Sequence, residues 1–344
     1  MKSNIKNNVL LSKHTTFKVG GKAKYYVEVK NKSELRQVVK FSKSKKIPIF
    51  VLGGGSDILI SDKGFPGLVL KYTDASLELS DGKSKVLVTA GAGMMWDDLV
   101  SICVQKGLQG IECLSGIPGS VGAAPIQNIG AYGQELKNTL VELIAFNILN
   151  NTFVNFDKKQ CKFSYRSSVF KDPSHWQKYL ILNVTLKLKK DGKPVISYES
   201  LANYLKSQKI KNPTLSEVRE SVLNVRKTRF ENYKDVPNAG SFFKNPIIDE
   251  KKLLELKKHF PDIPCYKNTE RSYKCYAGWL VEKSGWKGKR YGNAAVSSKH
   301  ALVLINPQRR AKANEIKILA SKITNDVYKK FRIKLEPEVQ YIGF

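Results

Sequence analysis

Apolar residues recur along the chain at two spacings, and the switches between them mark out three regions. Residues 24–29, KYYVEV, carry β-type side chains and predict a strand. Next, Leu35, Val38, Val39 and Ser42 share one face of a helix predicted over ELRQVVKFSKS, with Ser33 placed to cap it. IPIFVLGGGSDILI (47–60) then reads as a buried strand that breaks at a glycine turn and resumes as strand. Strand, helix and strand together predict a small α/β lobe of about seventy residues.

The second region runs from KVLVTAGAG to about residue 225, with predicted strands at 140–148 and 179–188. Trp96, Leu99, Val100 and Cys103 form the inward side of a helix over MMWDDLVSICVQKG. A later helix, TLSEVRESVLNVRKTR, opens with a Thr214–Glu217 capping box and lines Val218, Val222 and Val225 along one face. The third region, about 231 to 330, contains the predicted strand HALVLIN (300–306). A helix over ANEIKILASKITNDVYKKF follows, with Ile316, Leu319, Ile323 and Val327 inward and lysines outward. The end, IKLEPEVQYIGF, alternates as a strand.

Composition narrows the choice of function. A chain of 344 residues is longer than one hydrophobic core usually needs, so two or three lobes are expected. The N-terminal segment lacks an apolar stretch of signal-peptide length and no run approaches a membrane span, so the cytoplasm is expected. Cys103, Cys113, Cys161, Cys265 and Cys275 form no CxxC pair and read as reduced, mostly buried thiols. His14, His175, His259 and His300 show no ligand or triad spacing, which disfavours a zinc site or a His-based nucleophile. The net charge of +29 is spread from end to end rather than gathered into a basic block. We read it as compositional, with no nucleic-acid partner, although its field would draw phosphorylated ligands.

Three segments carry candidate chemistry. Gly53, Gly54 and Gly55, followed by Ser56 and Asp57, leave an apolar strand directly. Glycines there let backbone N–H groups converge on phosphate oxygens, although a tight hairpin would need them equally. A strand rather than a helix follows, which disfavours a Rossmann nucleotide site. GIPGSVGAAPIQNIGAYG (116–133) runs for eighteen residues without a charged side chain, a composition ill suited to a solvated loop. Its backbone, with Gln127, Asn128 and Tyr132, could line the edge of a flat heteroaromatic ring. NAGSFFKNP (238–246) sets Ser241 between a flexible turn and two aromatics, with no histidine nearby. Two glycine-rich segments suggest a dinucleotide, with pyrophosphate in one and ring in the other.

TTFKVGG, VLGGGSD, GIPGSVGAAPIQNIGAYG, FSYRSSVFK, NAGSFFKNP and LEPEV occur in that order over nearly the whole chain. Together they closely resemble the UDP-N-acetylenolpyruvoylglucosamine reductase (MurB) family, and VISYESL looks like the tyrosine-bearing insertion of its longer class. The resemblance implies an α+β fold: a two-lobed FAD-binding fold of the vanillyl-alcohol-oxidase (PCMH) type plus a C-terminal α/β substrate domain. The implied boundaries are 1–72 for the first FAD lobe, joined by the C-terminal strand 333–344, 73–228 for the second, and 229–332 for the substrate domain. It further implies bound FAD, consumption of NADPH, an enolpyruvyl nucleotide sugar as substrate and a monomeric chain without a membrane partner.

The family pattern assigns roles residue by residue. Ser241 matches the proton donor, and Arg166 and Glu338 match two groups that stabilise an enolate. Glu336 is the rival to Glu338, and only the motif chooses between them. FAD-binding positions correspond to Gly53, Gly54, Gly55, Ser56, Asp57, Gly116, Pro118, Gly119, Gly122, Ala123, Gln127 and Asn128. Tyr132, Tyr198, Arg226, Arg229, Lys244 and Asn245 match the grip on substrate and nucleotide. The three-residue spacing of Arg226 and Arg229 at a predicted helix end would turn both to one diphosphate. Arg229 and Asp57 depart from the pattern, where lysine and asparagine are usual. An acidic Asp57 beside a phosphate nest should weaken binding unless it turns away or meets a lysine. The alternative reading is a flavin-linked oxidase of the same FAD fold acting on another alcohol or sugar; the Ser241 region argues against it.

Overall fold

The computed structural model describes residues 4–344, which fall into two compact units. The first comprises residues 1–9, 23–55 and 65–227; the second comprises 10–22, 56–64 and 228–344. The two expected FAD lobes thus share one unit. The second takes in residues 56–64 and the C-terminal strand beside the expected substrate domain. The reason is local: Ile58–Ile60 pairs in parallel with Gln340–Ile342, and Leu59 packs in the same core as Phe242 and Phe243.

In the first unit, Lys22–Val29 and Ile49–Val51 both run parallel to Phe65–Tyr72. Helix α1 (Lys32–Ser44) crosses between them with Leu35, Val38, Val39 and Ser42 buried. Its cap is Asn31, whose side chain accepts from the Glu34 N–H, and not Ser33. The reason is geometric: Asn31 is the residue with extended backbone at the helix entrance, and Lys32 already lies inside.

A larger antiparallel sheet runs in the order Thr152–Asp157, Leu140–Asn147, Tyr179–Lys190, Lys85–Gly91 and Leu77–Asp81, with Leu108–Gln109 pairing beside Tyr179–Lys190. Helix α2 (Trp96–Gln105) buries Trp96, Leu99, Val100 and Cys103 against the shared core. A satellite core joins α3 (Glu199–Ser207) to α4 (Leu215–Arg229) through Leu201, Leu205, Val218 and Val222. The capping box of α4 is formed: Glu217 N–H donates to Thr214 Oγ1 at 3.2 Å, and Thr214 N–H to Glu217 Oε2 at 2.7 Å.

The second unit holds the antiparallel order Asn238–Ser241, Val303–Ile305, Ala294–Val296, Arg290–Tyr291. Helix α7 (Ala313–Phe331) buries Ile316, Leu319, Ile323 and Val327 as its periodicity predicts. Helix α5 (Glu250–His259) and helix α6 (Ala277–Lys283) flank a three-stranded sheet of Ile247–Asp249, Ser272–Cys275 and Cys265–Thr269. In that sheet Cys265 lies directly opposite Cys275, and the two are joined by a disulfide. This corrects the expectation of five reduced thiols. Spacing in sequence does not reveal the hairpin register that sets the pair face to face. Cys103, Cys113 and Cys161 are buried and free, and burial pushes each thiol up to about 12. Among the described residues no helix is long and apolar enough to cross a membrane, and no group of His, Cys, Asp and Glu could hold a metal ion.

His300 provides a test of the second unit. Its ring stacks on Phe230 at 5.1 Å, and its Nδ1 accepts the Leu302 N–H at 3.2 Å. Burial, then the nearby Arg229 guanidinium, pushes its pKa from the ordinary 6.5 down to about 4. The unfolded chain therefore binds the extra proton first, and stability falls as pH drops from 6.5 to about 4. At about 1.4 kcal/mol per pH unit the full loss is about 3 kcal/mol. Denaturant unfolding at neutral pH and near the lower limit should show His300→Asn losing less stability than the parent by that amount. Equal losses would mean that His300 takes up its proton while folded.

Candidate functional site

The two glycine-rich segments meet inside the first unit. One leaves the sheet where Leu52 N–H donates to Leu70 O, then turns through Gly53–Gly55, with Gly55 at φ +67°. The other is anchored by Trp96 N–H to Gly119 O at 3.0 Å and Val121 N–H to Met94 O at 2.9 Å. A Cβ on Gly54 would stand 2.6 Å from Gly119 Cα, and one on Gly53 would stand 2.9 Å from Ala123 Cβ. Only glycine lets the chains approach this closely. Among the described residues, the N–H groups of Gly53, Gly54, Gly119 and Ser120 donate to no protein acceptor. Two touching backbones with spare donors suit the oxygens of a pyrophosphate.

Several residues expected to touch a cofactor also hold the frame. Gly122 donates its N–H to Ala92 O, and a Cβ there would strike Ala92 Cβ at 2.5 Å. Gln127 Oε1 accepts from Lys171 Nζ at 3.0 Å. Asn128 is fully buried: its amide donates to Glu135 Oε2 and Ser164 O, and its oxygen accepts from Lys137 N–H. Its backbone is left-handed, φ +46°, a conformation asparagine tolerates better than most residues. Ser56 and Asp57 belong to the second unit, where the Asp57 carbonyl accepts the Gln340 N–H at 3.1 Å.

Arg166 occupies the third position of a tight turn in which Ser164 and Ser167 exchange backbone hydrogen bonds. Its φ is +52°, a conformation usually left to glycine or asparagine and held only when the surroundings enforce it. Its guanidinium donates to Gly130 O at 2.8 Å and lies over the Tyr165 ring. Glu135 is the acidic neighbour: burial works against its charge, but Lys137, Asn128 and Arg166 together hold its carboxyl below the ordinary range.

Tyr132 and Gly133, at φ +47° and +86°, form the turn between Gly130–Ala131 and Gln134–Glu135. The buried Tyr132 ring meets Tyr198 edge to face at 5.7 Å. Tyr132 also acts electrostatically on Arg226, as does Asp97. Asp97 and Arg219 were not foreseen. Arg219 forks onto Asp97 at 2.6 and 2.9 Å, and the Gly116 N–H donates to Asp97 Oδ1 at 2.6 Å. The available signal was the seven-residue spacing of Arg219 and Arg226, two helical turns along one face. Arg226 and Arg229, though three apart, have different surroundings. Arg226 is half-buried near Asp97 and Tyr132, whereas Arg229 is exposed and acts on His300.

In the second unit Ser241 ends the strand Asn238–Ser241, after Gly240 at φ +70°. The turn is tied by Asn238, which donates to Glu231 O and Val236 O and accepts from Gly240 N–H. Ser241 is half-buried, and among the described residues its hydroxyl has no hydrogen-bond partner in the protein. Phe242 and Phe243, both essentially inaccessible, carry the chain into a core with Phe17. The LEPEV segment lies alongside: Glu338 N–H donates to Phe242 O at 2.8 Å and Lys244 N–H to Glu336 O at 2.9 Å. Glu336 is exposed and salt-bridged to Lys244 at 3.3 Å, while Glu338 is half-buried. Asn245 Oδ1 accepts the Ala277 N–H at 3.0 Å, at the start of α6.

Residues 231–342 match the family described as UDP-N-acetylenolpyruvoylglucosamine reductase, C-terminal domain, and residues 23–147 match an FAD binding domain. The chain is 36% identical over 340 residues to the UDP-N-acetylenolpyruvoylglucosamine reductase of Pseudomonas aeruginosa, covering 98% of this chain and 99% of that one. The enzyme of the same name from Amoebophilus asiaticus is 38% identical over 339 residues, with 98% and 99% covered. Among solved structures, UDP-N-acetylenolpyruvylglucosamine reductase from Thermus caldophilus superposes with a TM-score of 0.70 at 25% identity, covering 99% of this chain and all of that one.

The glycine contact sets an expectation for stability. Gly54→Ala forces backbone against backbone and should cost about 1–3 kcal/mol. Gly278, inside α6, has only ordinary contacts, the nearest at 3.5 Å. Gly278→Ala should therefore be neutral or stabilise by up to about 1 kcal/mol through helix propensity. Chemical denaturation of both variants checks the contrast, and an unaffected Gly54→Ala would show that the two segments can part.

Proposed function

The chain belongs to the UDP-N-acetylenolpyruvoylglucosamine reductase family, FAD-dependent oxidoreductases that use NADPH in peptidoglycan precursor synthesis, and from that premise we propose that Ser241 delivers the proton that completes the reaction. The substrate is a small molecule, the enolpyruvyl ether of UDP-N-acetylglucosamine, and the product is UDP-N-acetylmuramate. The match to the reductase's own C-terminal domain, which contains Ser241, favours this activity over an oxidase sharing the FAD fold.

FAD, when bound, supplies the relay of hydride from NADPH to C3 of the enolpyruvyl group. The residues with spare backbone donors, Gly53, Gly54, Gly119 and Ser120, fit its pyrophosphate. Gly116, Pro118 and Ala123 stand on the same segment. Gly122, Gln127 and Asn128 support it through the packing and hydrogen bonds that tie them to Ala92, Lys171 and Glu135.

After hydride arrives at C3, electron density gathers at C2 and in the adjoining carboxylate. In this reading Arg166 binds that carboxylate and gains strength as the charge grows, the moment at which a preorganised guanidinium counts most. Glu338 is the second group that the family pattern assigns to stabilising that charge. Ser241 gives its hydroxyl proton to C2. A serine hydroxyl is a weak acid, but a carbanion-like carbon is basic enough to take its proton where water does not compete. Tyr132, Tyr198, Arg226, Arg229, Lys244 and Asn245 take the nucleotide sugar, and the chain works in the cytoplasm as a monomer.

The observation that carries this proposal is the Ser241 hydroxyl, half-buried and, among the described residues, without a hydrogen-bond partner in the protein. Most hydroxyls at such turns satisfy nearby backbone. Ser241→Ala should still let NADPH reduce the flavin at close to the parent rate, while steady-state turnover falls by about a hundredfold or more. Stopped-flow reduction read beside turnover separates the two half-reactions. Parent-like turnover in Ser241→Ala would remove that hydroxyl from the chemistry.

A further inference from the structure

Asp97 stands on the first turn of α2, and one of its oxygens accepts both the Gly116 N–H and an Arg219 N–H, each at 2.6 Å. Its other oxygen accepts the second prong of Arg219 at 2.9 Å. Gly116 in turn packs on α4: a Cβ there would lie 2.8 Å from Leu223 and 3.1 Å from Arg226 Nε. Gly116 has φ +69°, so a larger residue would be strained as well as crowded. One carboxylate thus ties three things together: the entry to the uncharged segment, the helix that carries Arg226, and the start of α2.

Helix geometry alone does not explain this arrangement. Any acid in the first turn of a helix gains from its dipole. Asp98, the next residue, holds the same advantage, yet it is exposed and among the described residues makes no hydrogen bond or ion pair. Asp97 is distinguished by its partners. Burial alone would raise its carboxyl, but Arg219, the Gly116 N–H and Arg226 together hold it below the ordinary range. It is therefore the charged form that organises the cluster. A bidentate guanidinium fork fixes the carboxylate in one orientation, which a lysine would not do.

We propose that Asp97 is a positioning residue for the dinucleotide and nucleotide-sugar sites, acting through Gly116 and Arg226 with Arg219 as its clamp. The inference rests on the reading that the Gly116–Gly122 segment receives FAD. The Asp97 carboxylate touches neither ligand. It holds the Gly116 amide, and with it the approach to Gly119, in the one place where the Gly119 and Ser120 donors stand against Gly54.

The test uses the full-length protein, stripped of flavin and titrated with FAD, with binding read by quenching of flavin fluorescence. Asp97→Asn keeps the shape and removes the charge. Arg219→Lys keeps the charge and removes the fork. Both should weaken FAD binding by about tenfold or more, the usual loss for a hydrogen bond to a charged group. Both should raise KM for the nucleotide sugar, with kcat at saturating FAD changed by less than about threefold, since neither residue acts on the reacting atoms. In the double variant the two losses should fall well short of adding, as for residues that act as a unit. Asp98→Asn is the control: whatever it does to the melting temperature, its FAD affinity should match the parent. Parent-like FAD affinity in Asp97→Asn and Arg219→Lys would overturn the proposal while leaving the family activity intact. A parent chain that takes up no FAD would overturn the underlying reading as well. Should Asp97→Asn fail to fold, Arg219→Lys alone decides.

Discussion

Backbone packed on backbone is the constraint from which the first unit takes its character. Gly54 and Gly119 are so close that a side chain on Gly54 would strike the Gly119 backbone. The consequence is chemical as well as steric. Among the described residues the Gly53, Gly54, Gly119 and Ser120 N–H groups have no protein acceptor, so four amide donors are left for a ligand. Elsewhere the same segments are pinned by ordinary backbone bonds, Leu52 N–H to Leu70 O on one side, and Trp96 N–H to Gly119 O and Val121 N–H to Met94 O on the other. Rigid anchors around unsatisfied donors are what preorganisation for an anion requires.

Within each unit, polar side chains work largely as structural ties. Asn128, Asn238 and Asn245 spend an amide oxygen on a backbone N–H nine, two and 32 positions away, respectively. Asn128 and Arg166 also stand at positive φ, where most side chains are strained. The strain at Arg166 is confined by Ser164 and Ser167 on either side and by its bond to Gly130. A guanidinium presented from a strained two-residue turn has little freedom to wander.

The second unit sets a half-buried serine at the edge of a hydrophobic core. Ser241 ends a strand, so its chain turns at once into two inaccessible phenylalanines. The strand-like pairing of 336–338 with 242–244 then places Glu336 and Glu338 at the edge of that core with different exposure. Glu336 faces water and takes Lys244. The remaining acid, Glu338, is the half-buried one. That the two glutamates sit two residues apart says nothing of this; the pairing partner does.

Local periodicity determined helices α1, α2, α4 and α7 and the longer sheet strands, because burial of an amphipathic face is written directly into the spacing of apolar residues. Of the strands expected at 300–306 and over the last twelve residues, only Val303–Ile305 and Gln340–Ile342 form. Leu35, Val38 and Val39 on α1 and Ile316, Leu319 and Ile323 on α7 are inward as their spacing demands. The ordered motifs determined the family, because each motif is a contiguous piece of chain. What only tertiary structure decided are the relations between pieces remote in sequence. The register that joins Cys265 to Cys275, the union of residues 56–64 with the C-terminal strand, and the separation of Arg226 from Arg229 belong here. So does the meeting of Asp97 with Arg219, which lie 122 positions apart. Each of these depends on a contact whose two halves share no local pattern, and packing in three dimensions alone selects it.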